Sequence, residues 1–372
     1  MINKKILFIL HYPPPVHGAA MVGQYICKSN LINSAFDSRF INLSTSVTVN
    51  EIGKGGIKKL FSYARILGLT FLYGLFWRPN LVYITLNSYG LGLVKDSIVV
   101  LICRLLSLRH VYHFHNKGVE NYSHGKLGKQ LYPFIFKKSE VILLSSLLYN
   151  DISAYVSKDR VYFCSNGIPD TQYCSKSNII DYNKPIQLLF LSNLIKSKGV
   201  LDLLYACKLL NKDGYSFHCT IAGGEGDISV SELNELIDVY DLSAYVSYLG
   251  VVQGQDKVKT FSDADIFIFP TFYPNECFPL VLLEAMQAGL PIISTTEGAI
   301  PEIVEDGKSG LIIPSRNPHH LANAIVELLN SPDQLKKMGQ YGRNKFKLEY
   351  TLEIFENSFF RIIQSIVNKK KI

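Results

Sequence analysis

The feature that most constrains this chain is a repeated alternation of short apolar runs with helical patterns. Short apolar runs bounded by turn residues predict buried strands, and strands separated by helices predict a parallel sheet. In the first half, the predicted strands lie at 5–11, 40–43, 80–86, 111–115, 140–145 and 161–164. A second series lies at 186–192, 218–222, 245–249, 266–269, 292–295 and 311–313. The alternation predicts an α/β fold with doubly wound parallel sheets.

The two strand series predict two domains. At 372 residues and 48% apolar content, the chain is long enough for two separate cores. The turn sequence Asn166-Gly167 and a polar, irregular segment at 171–185 separate the two series and predict a linker. We therefore predict domains at 1–170 and 186–347, followed by a segment at 348–372 whose apolar residues recur at helical spacing.

Cysteine, acid and glycine spacings argue against several cofactors. The seven cysteines show no paired spacing, which argues against a disulfide framework and a zinc site and favours a reducing cytoplasm. Asp263 and Asp265 form an Asp-x-Asp pair, but they stand directly before a strand, so we assign no metal to them. The Gly-x-Gly-x-x-Gly fingerprint is absent, so a nicotinamide cofactor is not supported. We expect neither a metal nor a cofactor.

Charge and hydropathy leave a membrane contact open. Lys and Arg outnumber Asp and Glu by 38 to 31, an excess that suits an anionic ligand or membrane, and no segment resembles a nucleic-acid-binding module. The apolar run at 6–10 is too short for a signal peptide core. The segments 60–77 and 91–108 are the most lipid-like, but charged residues interrupt both. We predict two helices packed on a sheet, with one face available to a membrane.

The most informative stretch is residues 270–302, in which a strand and a polar loop precede a short apolar helix. Glu276 stands at the helix start and Glu284 in its body, and a carboxylate in so apolar a helix is costly unless it is paired or binds a ligand. Helical geometry would place the two acids ~12 Å apart, too far to chelate one metal ion but suited to two hydroxyl groups of an extended ligand. The alternative is a helix-start acid and a buried salt-bridge partner.

The helix start itself favours an anion. Its N–H groups, from Phe278 and Leu280 onward, suit a diphosphate because the N-terminal end of a helix is partly positive. Pro279 fits the first turn, where its missing N–H has no cost.

This pattern resembles the signature of retaining GT-B glycosyltransferases of family four (group 1). The matching residues are Glu276, Glu284, Ala285, Met286, Gly289, Pro291, Gly298 and Glu302. The resemblance covers nearly the whole chain and is strongest at 186–315. It implies two Rossmann-like domains that face a cleft, with the C-terminal helix crossing back onto the first domain.

The resemblance also implies site residues. The catalytic ones are His115, near the anomeric carbon of the donor sugar, Lys198, on the diphosphate, and Glu276, on the sugar hydroxyls. The implied donor-binding residues are Gly18, Asn193, Lys198, Gly223, Val251, Glu276, Cys277, Phe278, Pro279, Leu280 and Glu284. Among these, Glu284 would bind the ribose, while Asn193 stands where the family commonly has an arginine.

The implied reaction transfers a hexose or N-acetylhexosamine from a nucleotide diphosphate sugar, with retained configuration. UDP is the favoured nucleotide and GDP the alternative. The expected acceptor is a glycan or a lipid-linked sugar in the assembly of capsule, O-antigen or a related surface polysaccharide. The expected location is the cytoplasm, with peripheral contact to an anionic membrane left open. Two other functions remain, a nucleotide-sugar 2-epimerase and a catalytically silent binding subunit.

Overall fold

The chain forms two α/β units in a computed structural model that describes residues 4–45, 56–171, 173 and 184–369. The first unit comprises residues 1–167 and 352–372, and the second comprises residues 168–351. Most of the predicted linker at 171–185 lies outside the described residues, so its conformation stays a prediction.

The first unit is built on a six-stranded parallel sheet with the order β2-β1-β3-β4-β5-β6. The strands are β1 (Lys5–Leu10), β2 (Asp37–Asn42), β3 (Leu81–Leu86), β4 (His110–Phe114), β5 (Glu140–Leu143) and β6 (Val161–Phe163). The helices are α1 (Gly18–Lys28), α2 (Asn30–Ala35), α3 (Ile57–Leu72), α4 (Gly90–Leu105), α5 (Val119–Ser123) and α6 (Lys126–Phe136). Every residue of β3 is buried, as expected for a central parallel strand with both faces covered.

The second unit repeats this architecture, with the strand order β12-β11-β10-β7-β8-β9. The strands are β7 (Ile186–Leu191), β8 (Phe217–Ala222), β9 (Val246–Tyr248), β10 (Ile266–Phe269), β11 (Ile292–Ser294) and β12 (Gly310–Ile312). The helices are α7 (Val200–Lys212), α8 (Val230–Val239), α9 (Gly254–Asp263), α10 (Leu280–Gln287), α11 (Ile300–Ile303), α12 (Pro318–Leu329) and α13 (Pro332–Glu349).

The final helix, α14 (Leu352–Asn368), packs in the first unit. Its Phe359 ring meets the Tyr83 ring of β3 edge to face, with centroids 5.2 Å apart, and Phe360 lies 5.7 Å from Phe36. Aromatic pairs at these separations stabilise packing beyond the area that they bury. The predicted α/β fold, with two parallel sheets and a returning C-terminal helix, is confirmed.

Strand β2 begins at Asp37, three residues before the predicted start at 40. It lies at the edge of the sheet, and its first four residues alternate between exposed and half-buried. A half-exposed edge strand lacks the continuous apolar run by which the central strands are recognised.

Candidate functional site

The second sheet has a topological switch point between β7 and β10. These strands are neighbours, and the chain order runs outward from them in both directions. Ligands of open α/β sheets bind beyond the carboxyl ends of such a strand pair. Lys198 follows β7, and Glu276 lies in the loop that follows β10. The topology therefore brings two predicted site residues, 78 positions apart, to the same edge of the sheet.

Lys198 and Glu276 form a direct ion pair at this edge. The Lys198 Nζ lies 2.5 Å from the Glu276 Oε2, and both side chains are largely buried. The Thr271 hydroxyl donates to the same carboxylate oxygen at 3.4 Å. The Lys198 Nζ also lies 4.6 Å from the centre of the Tyr273 ring, in cation–π geometry. Both charges are therefore held in defined positions.

Gly199 lets the loops after β7 and β10 approach each other closely. Its φ of 86° is left-handed, and a Cβ there would lie 2.2 Å from the carbonyl oxygen of Pro270. The Phe272 N–H donates to the Ser197 carbonyl at 2.8 Å and joins the same two loops. The backbone at Lys198 is thus held in place by contacts of the residues before and after it.

Gly298 has the corresponding role behind Glu276. Its φ is 58°, and a Cβ would lie 2.4 Å from the Glu276 carbonyl oxygen. The Ala299 N–H donates to the Cys277 carbonyl at 2.8 Å. The glycine of the Gly-x-x-x-Glu motif therefore supports the backbone on which the predicted sugar-binding residues lie.

The start of α10 differs from the prediction in two respects. Glu276 lies in the loop rather than on the helix, and Pro279 is the N-cap residue, with extended backbone at ψ 115°. Proline disfavours helical backbone in the residue before it, here Phe278, and Pro279 itself is extended, so the helix begins only at Leu280. The expected helical spacing of the two acids therefore does not apply. The first turn holds no acid and no side-chain cap, so the helix start keeps its partly positive character.

Glu284, on α10, is paired with Lys257, on α9. The Lys257 Nζ lies 2.6 Å from the Glu284 Oε1. Burial raises the pKa of Glu284 above its usual value, and the charge and hydrogen bond of Lys257 lower it in part. In this structure Glu284 is thus a salt-bridge partner, as the alternative interpretation of the two acids expects. No local pattern marks Lys257, because only the tertiary fold brings it to Glu284.

Asn193 binds the glycine loop after β8. Its Oδ1 accepts a hydrogen bond from the Gly224 N–H at 3.2 Å. Gly223 is packed so closely that a Cβ would lie 1.8 Å from the Ser192 carbonyl oxygen. A Cβ on Gly224 would lie 3.4 Å from a Val251 methyl group, so three of the predicted donor-binding positions are neighbours.

Lys196, three positions after Asn193, is paired with Glu232 in this structure. Its Nζ lies 3.8 Å from the Glu232 carboxylate, and the side chain is 53% exposed. A solvated pair at this distance contributes little to stability.

In the first unit, four histidines cluster at the carboxyl ends of β1 and β4. His113 and His115 have ring centroids 4.3 Å apart, and those of His11 and His17 are 6.1 Å apart. Among the described residues, neither ring nitrogen of His115 has a hydrogen-bond partner. Gly18 begins α1 directly after His17, whose ring accepts from the Ala20 N–H. Within the described ranges, no three His, Cys, Asp or Glu side chains are placed to hold a metal ion.

Burial keeps these imidazoles neutral at physiological pH. It lowers the pKa of His11 and of His115 to about 3, with a smaller contribution from the neighbouring His17. The pKa values of His17 and His113 are also lowered by burial. His115 is therefore a neutral imidazole whose two ring nitrogens can hydrogen-bond to a ligand. His11 is not among the predicted site residues, although its position after β1, at the same sheet edge, is a usable signal.

The chain is similar to known glycosyltransferases in sequence. Residues 176–345 match the model of the family described as Glycosyl transferases group 1. The amylovoran biosynthesis glycosyltransferase AmsK of Erwinia amylovora is 26% identical over 270 residues, 71% of this chain and 65% of that protein. The putative colanic acid biosynthesis glycosyltransferase WcaL of Salmonella typhimurium is 25% identical over 243 residues, 63% of this chain and 59% of that protein. The chain thus spans less than two thirds of the length of these curated relatives.

The solved structure of Anabaena HepE in complex with UDP and glucose superimposes with a TM-score of 0.73 at 18% identity. The match covers 98% of this chain and 100% of that one. At this identity the likeness shows the fold, which is GT-B. The chain therefore has a GT-B fold, and its residues 176–345 are similar to the group 1 glycosyl transferases. The resemblance drawn from residues 270–302 is confirmed at this level.

Proposed function

We propose that the chain is a retaining glycosyltransferase that moves a hexose or N-acetylhexosamine from a nucleotide diphosphate sugar to a glycan or lipid-linked acceptor. The observation that carries the proposal is the Lys198–Glu276 pair at the β7/β10 switch point, close in the chain to the uncapped start of α10. A cation and a helix N-terminus suit a diphosphate leaving group, on which negative charge grows during transfer. UDP is the favoured nucleotide because UDP is bound in the HepE structure.

Each charged residue has a proposed task. Lys198 turns from Glu276 toward the diphosphate oxygens when the donor binds. This releases the Glu276 carboxylate to accept hydrogen bonds from hydroxyl groups of the donor sugar. Glu284 accepts hydrogen bonds from the ribose hydroxyls while Lys257 holds its charge in place. His115 contacts the transferred sugar as a neutral group.

The proposed step retains configuration without a protein nucleophile. The bond between the anomeric carbon and the diphosphate oxygen breaks, and the acceptor oxygen bonds to the same face of that carbon. The acceptor proton passes to the departing diphosphate, so the protein supplies no acid or base. Catalysis then comes from positioning and from stabilisation of the developing charge.

The proposed setting is the assembly of a bacterial surface polysaccharide, and it rests on the names of the relatives. Both curated relatives are named for exopolysaccharide biosynthesis, amylovoran in one and colanic acid in the other. Their names also favour transfer over epimerisation. The largely buried Lys198–Glu276 pair and the half-buried Lys257–Glu284 pair argue against a catalytically silent subunit, because charges withdrawn from solvent are costly without a task.

A donor incubation separates transfer from epimerisation. With a UDP-sugar and no acceptor, we expect the donor to stay largely intact when followed by proton NMR. Addition of an acceptor-containing lipid extract should release UDP and give a product with the anomeric configuration of the donor. Conversion of the sugar into its 2-epimer without an acceptor would establish the other activity.

Lys257→Met should make donor binding more sensitive to acid. Without Lys257, burial alone acts on Glu284, so its pKa rises further and the carboxylate is protonated at a higher pH. We expect the acid limb of UDP affinity, measured by calorimetry between pH 5 and 8, to move to higher pH. Lys259→Met, on the exposed side of the same helix, is the matched control and should leave the profile unchanged. Identical profiles for both variants would remove Lys257 from this role.

A further inference from the structure

Helices α3 and α4 of the first unit expose an unusual amount of apolar surface. On α3 and the π-helical turn that extends it to Trp77, five large side chains are 49% exposed or more: Ile57 75%, Leu60 68%, Phe61 72%, Leu72 49% and Phe76 76%. On α4, Leu91 and Leu105 are each 75% exposed, and Ile98 and Leu101 are also exposed. A contiguous exposed apolar face on a folded protein marks an interaction site. We call these nine residues the apolar face.

The apolar face follows helical periodicity on both helices. Ile57, Phe61, Ala64 and Gly68 are spaced by three and four residues and are exposed. At ~100° per residue they form one stripe along α3, with Leu60, Phe71 and Leu72 at its sides. The opposite side of α3 buries Ile66 and Thr70. The helix is amphipathic. Its inner side packs against the protein, and an apolar stripe is exposed on its outer side.

The anchored side argues that α3 lies along a surface rather than crossing a bilayer. By length and composition, Ile57–Trp77 is apolar enough to span a membrane, and 22% of its most apolar window is buried inside the protein. However, Trp77 is buried, and the Tyr63 hydroxyl donates to the Lys95 carbonyl of α4. A helix fixed to a folded domain along one side presents only its other side to lipid.

The charges beside the apolar face are basic. Lys58 and Arg65 flank the stripe on α3, and Lys95 is the one exposed charged residue of α4. Arg78 follows the π-helical turn and is exposed. The excess of basic over acidic residues extends to the whole first unit, which has 23 Lys and Arg against 9 Asp and Glu. The second unit has 15 Lys and Arg against 22 Asp and Glu. Positive charge concentrated on the unit with the apolar face complements an anionic surface.

We propose that the apolar face of α3 and α4 docks the chain on the surface of an anionic lipid bilayer. Phe61 and Phe76 enter the boundary between headgroups and acyl chains, and α3 lies parallel to the membrane plane. Lys58, Arg65, Lys95 and Arg78 bind lipid phosphates around them. A second copy of this chain is the other candidate occupant, but a twofold contact would place this basic patch against the same basic patch of the copy. The docking does not depend on the proposed transfer activity.

Vesicle binding tests the proposal on the full-length protein. We expect sedimentation with vesicles of phosphatidylcholine and phosphatidylglycerol, at least about tenfold weaker binding to pure phosphatidylcholine, and loss of binding in high salt. Phe61→Ser/Phe76→Ser should lower binding to anionic vesicles by at least about tenfold, since each phenylalanine contributes apolar area to insertion. Lys58→Glu/Arg65→Glu should abolish the preference for anionic lipid. Val239→Ser/Leu348→Ser changes two exposed apolar residues of the second unit and should bind like the parent.

Three results would overturn the proposal. One is equal binding of the parent and the Phe61→Ser/Phe76→Ser variant, with both retaining the same thermal unfolding midpoint. Another is no sedimentation of the parent with anionic vesicles. The third is a dimer in light scattering that the phenylalanine variant converts into a monomer while neither binds vesicles, because that result assigns the face to a second copy. UDP affinity should be the same in every variant, so failure of docking and failure of the proposed function are separate results.

Discussion

Lys198→Ala is expected to lower the turnover number by about 10²–10³, the loss typical for one preorganised group that stabilises transition-state charge. Lys198 is the cation of the β7/β10 switch point, and its ammonium lies 2.5 Å from the Glu276 carboxylate. Glu276→Gln should lower turnover by a similar factor, because the amide keeps the shape of the side chain but loses the charged acceptor of sugar hydroxyls. Steady-state rates of UDP release with acceptor present measure both effects.

Lys196→Ala is the matched control for Lys198→Ala. Lys196 lies two positions away on the same loop, is exposed and faces Glu232, so its loss should change turnover less than about twofold. If Lys198→Ala is folded and as active as Lys196→Ala, the proposed phosphate role of Lys198 is wrong.

Acid is expected to destabilise the first unit strongly. His11 and His115 have folded-state pKa values of about 3 because of burial, while the unfolded chain takes up protons near pH 6.5. A lowered histidine pKa favours the unfolded state as pH falls below 6.5, so the stability present at neutral pH is lost. Between pH 6.5 and 4.5 each histidine should cost about 2.3 kcal/mol of unfolding free energy.

One buried acid at the same sheet edge acts in the opposite direction. Burial raises the pKa of Asp96 to about 6, although the Asn87 amide groups donate to it. An acid with a raised folded-state pKa stabilises the fold at low pH, and this contribution is lost as pH rises through 6. The lowered pKa values of His110 and His113 add to the effect of His11 and His115, so histidine protonation sets the net direction.

The single tryptophan makes this prediction measurable for one unit alone. Trp77 is buried in the first unit, so urea unfolding followed by its fluorescence reports that unit. The His11→Gln/His115→Gln variant should lose less unfolding free energy than the parent between pH 6.5 and 4.5. The difference should be several kcal/mol, about the contribution of two histidines. His320→Gln, an exposed histidine of the second unit, should leave the pH dependence unchanged. An equally steep pH dependence in the double variant would show that these imidazoles are not protected from protons.

The fold was predictable because its signals are local. Strands such as β1 and β10 are mostly apolar runs, and the stretch at 270–302 carries its loop, helix and following strand in consecutive residues. Edge strand β2 was predicted less well because most of its residues are exposed or half-buried. Pro279 lies outside the helix because of the backbone conformation at a single position. A helical sequence pattern does not locate the end of a helix to one residue.

The side-chain partners at the site were less predictable, since they depend on contacts between distant segments. Glu276 and Glu284 were recognised as informative, yet their partners Lys198 and Lys257 come from other loops and helices. Lys198 was assigned through the resemblance alone, and nothing in the sequence singles out Lys257. Similarly, the lipid-like composition of 60–77 was visible, but which side of α3 is exposed follows only from its packing.

Nucleotide titration of the second-unit site is the most direct test of the central claim, that the Lys198–Glu276 edge binds a nucleoside diphosphate. Calorimetry with UDP and GDP on the parent, Lys198→Ala and Lys196→Ala needs no knowledge of the acceptor. We predict that UDP binds the parent, that Lys198→Ala weakens binding by about 10- to 100-fold, as expected for one charge-assisted hydrogen bond, and that Lys196→Ala binds like the parent. Absence of binding by both nucleotides, or equal affinity in Lys198→Ala and the parent, would contradict the account.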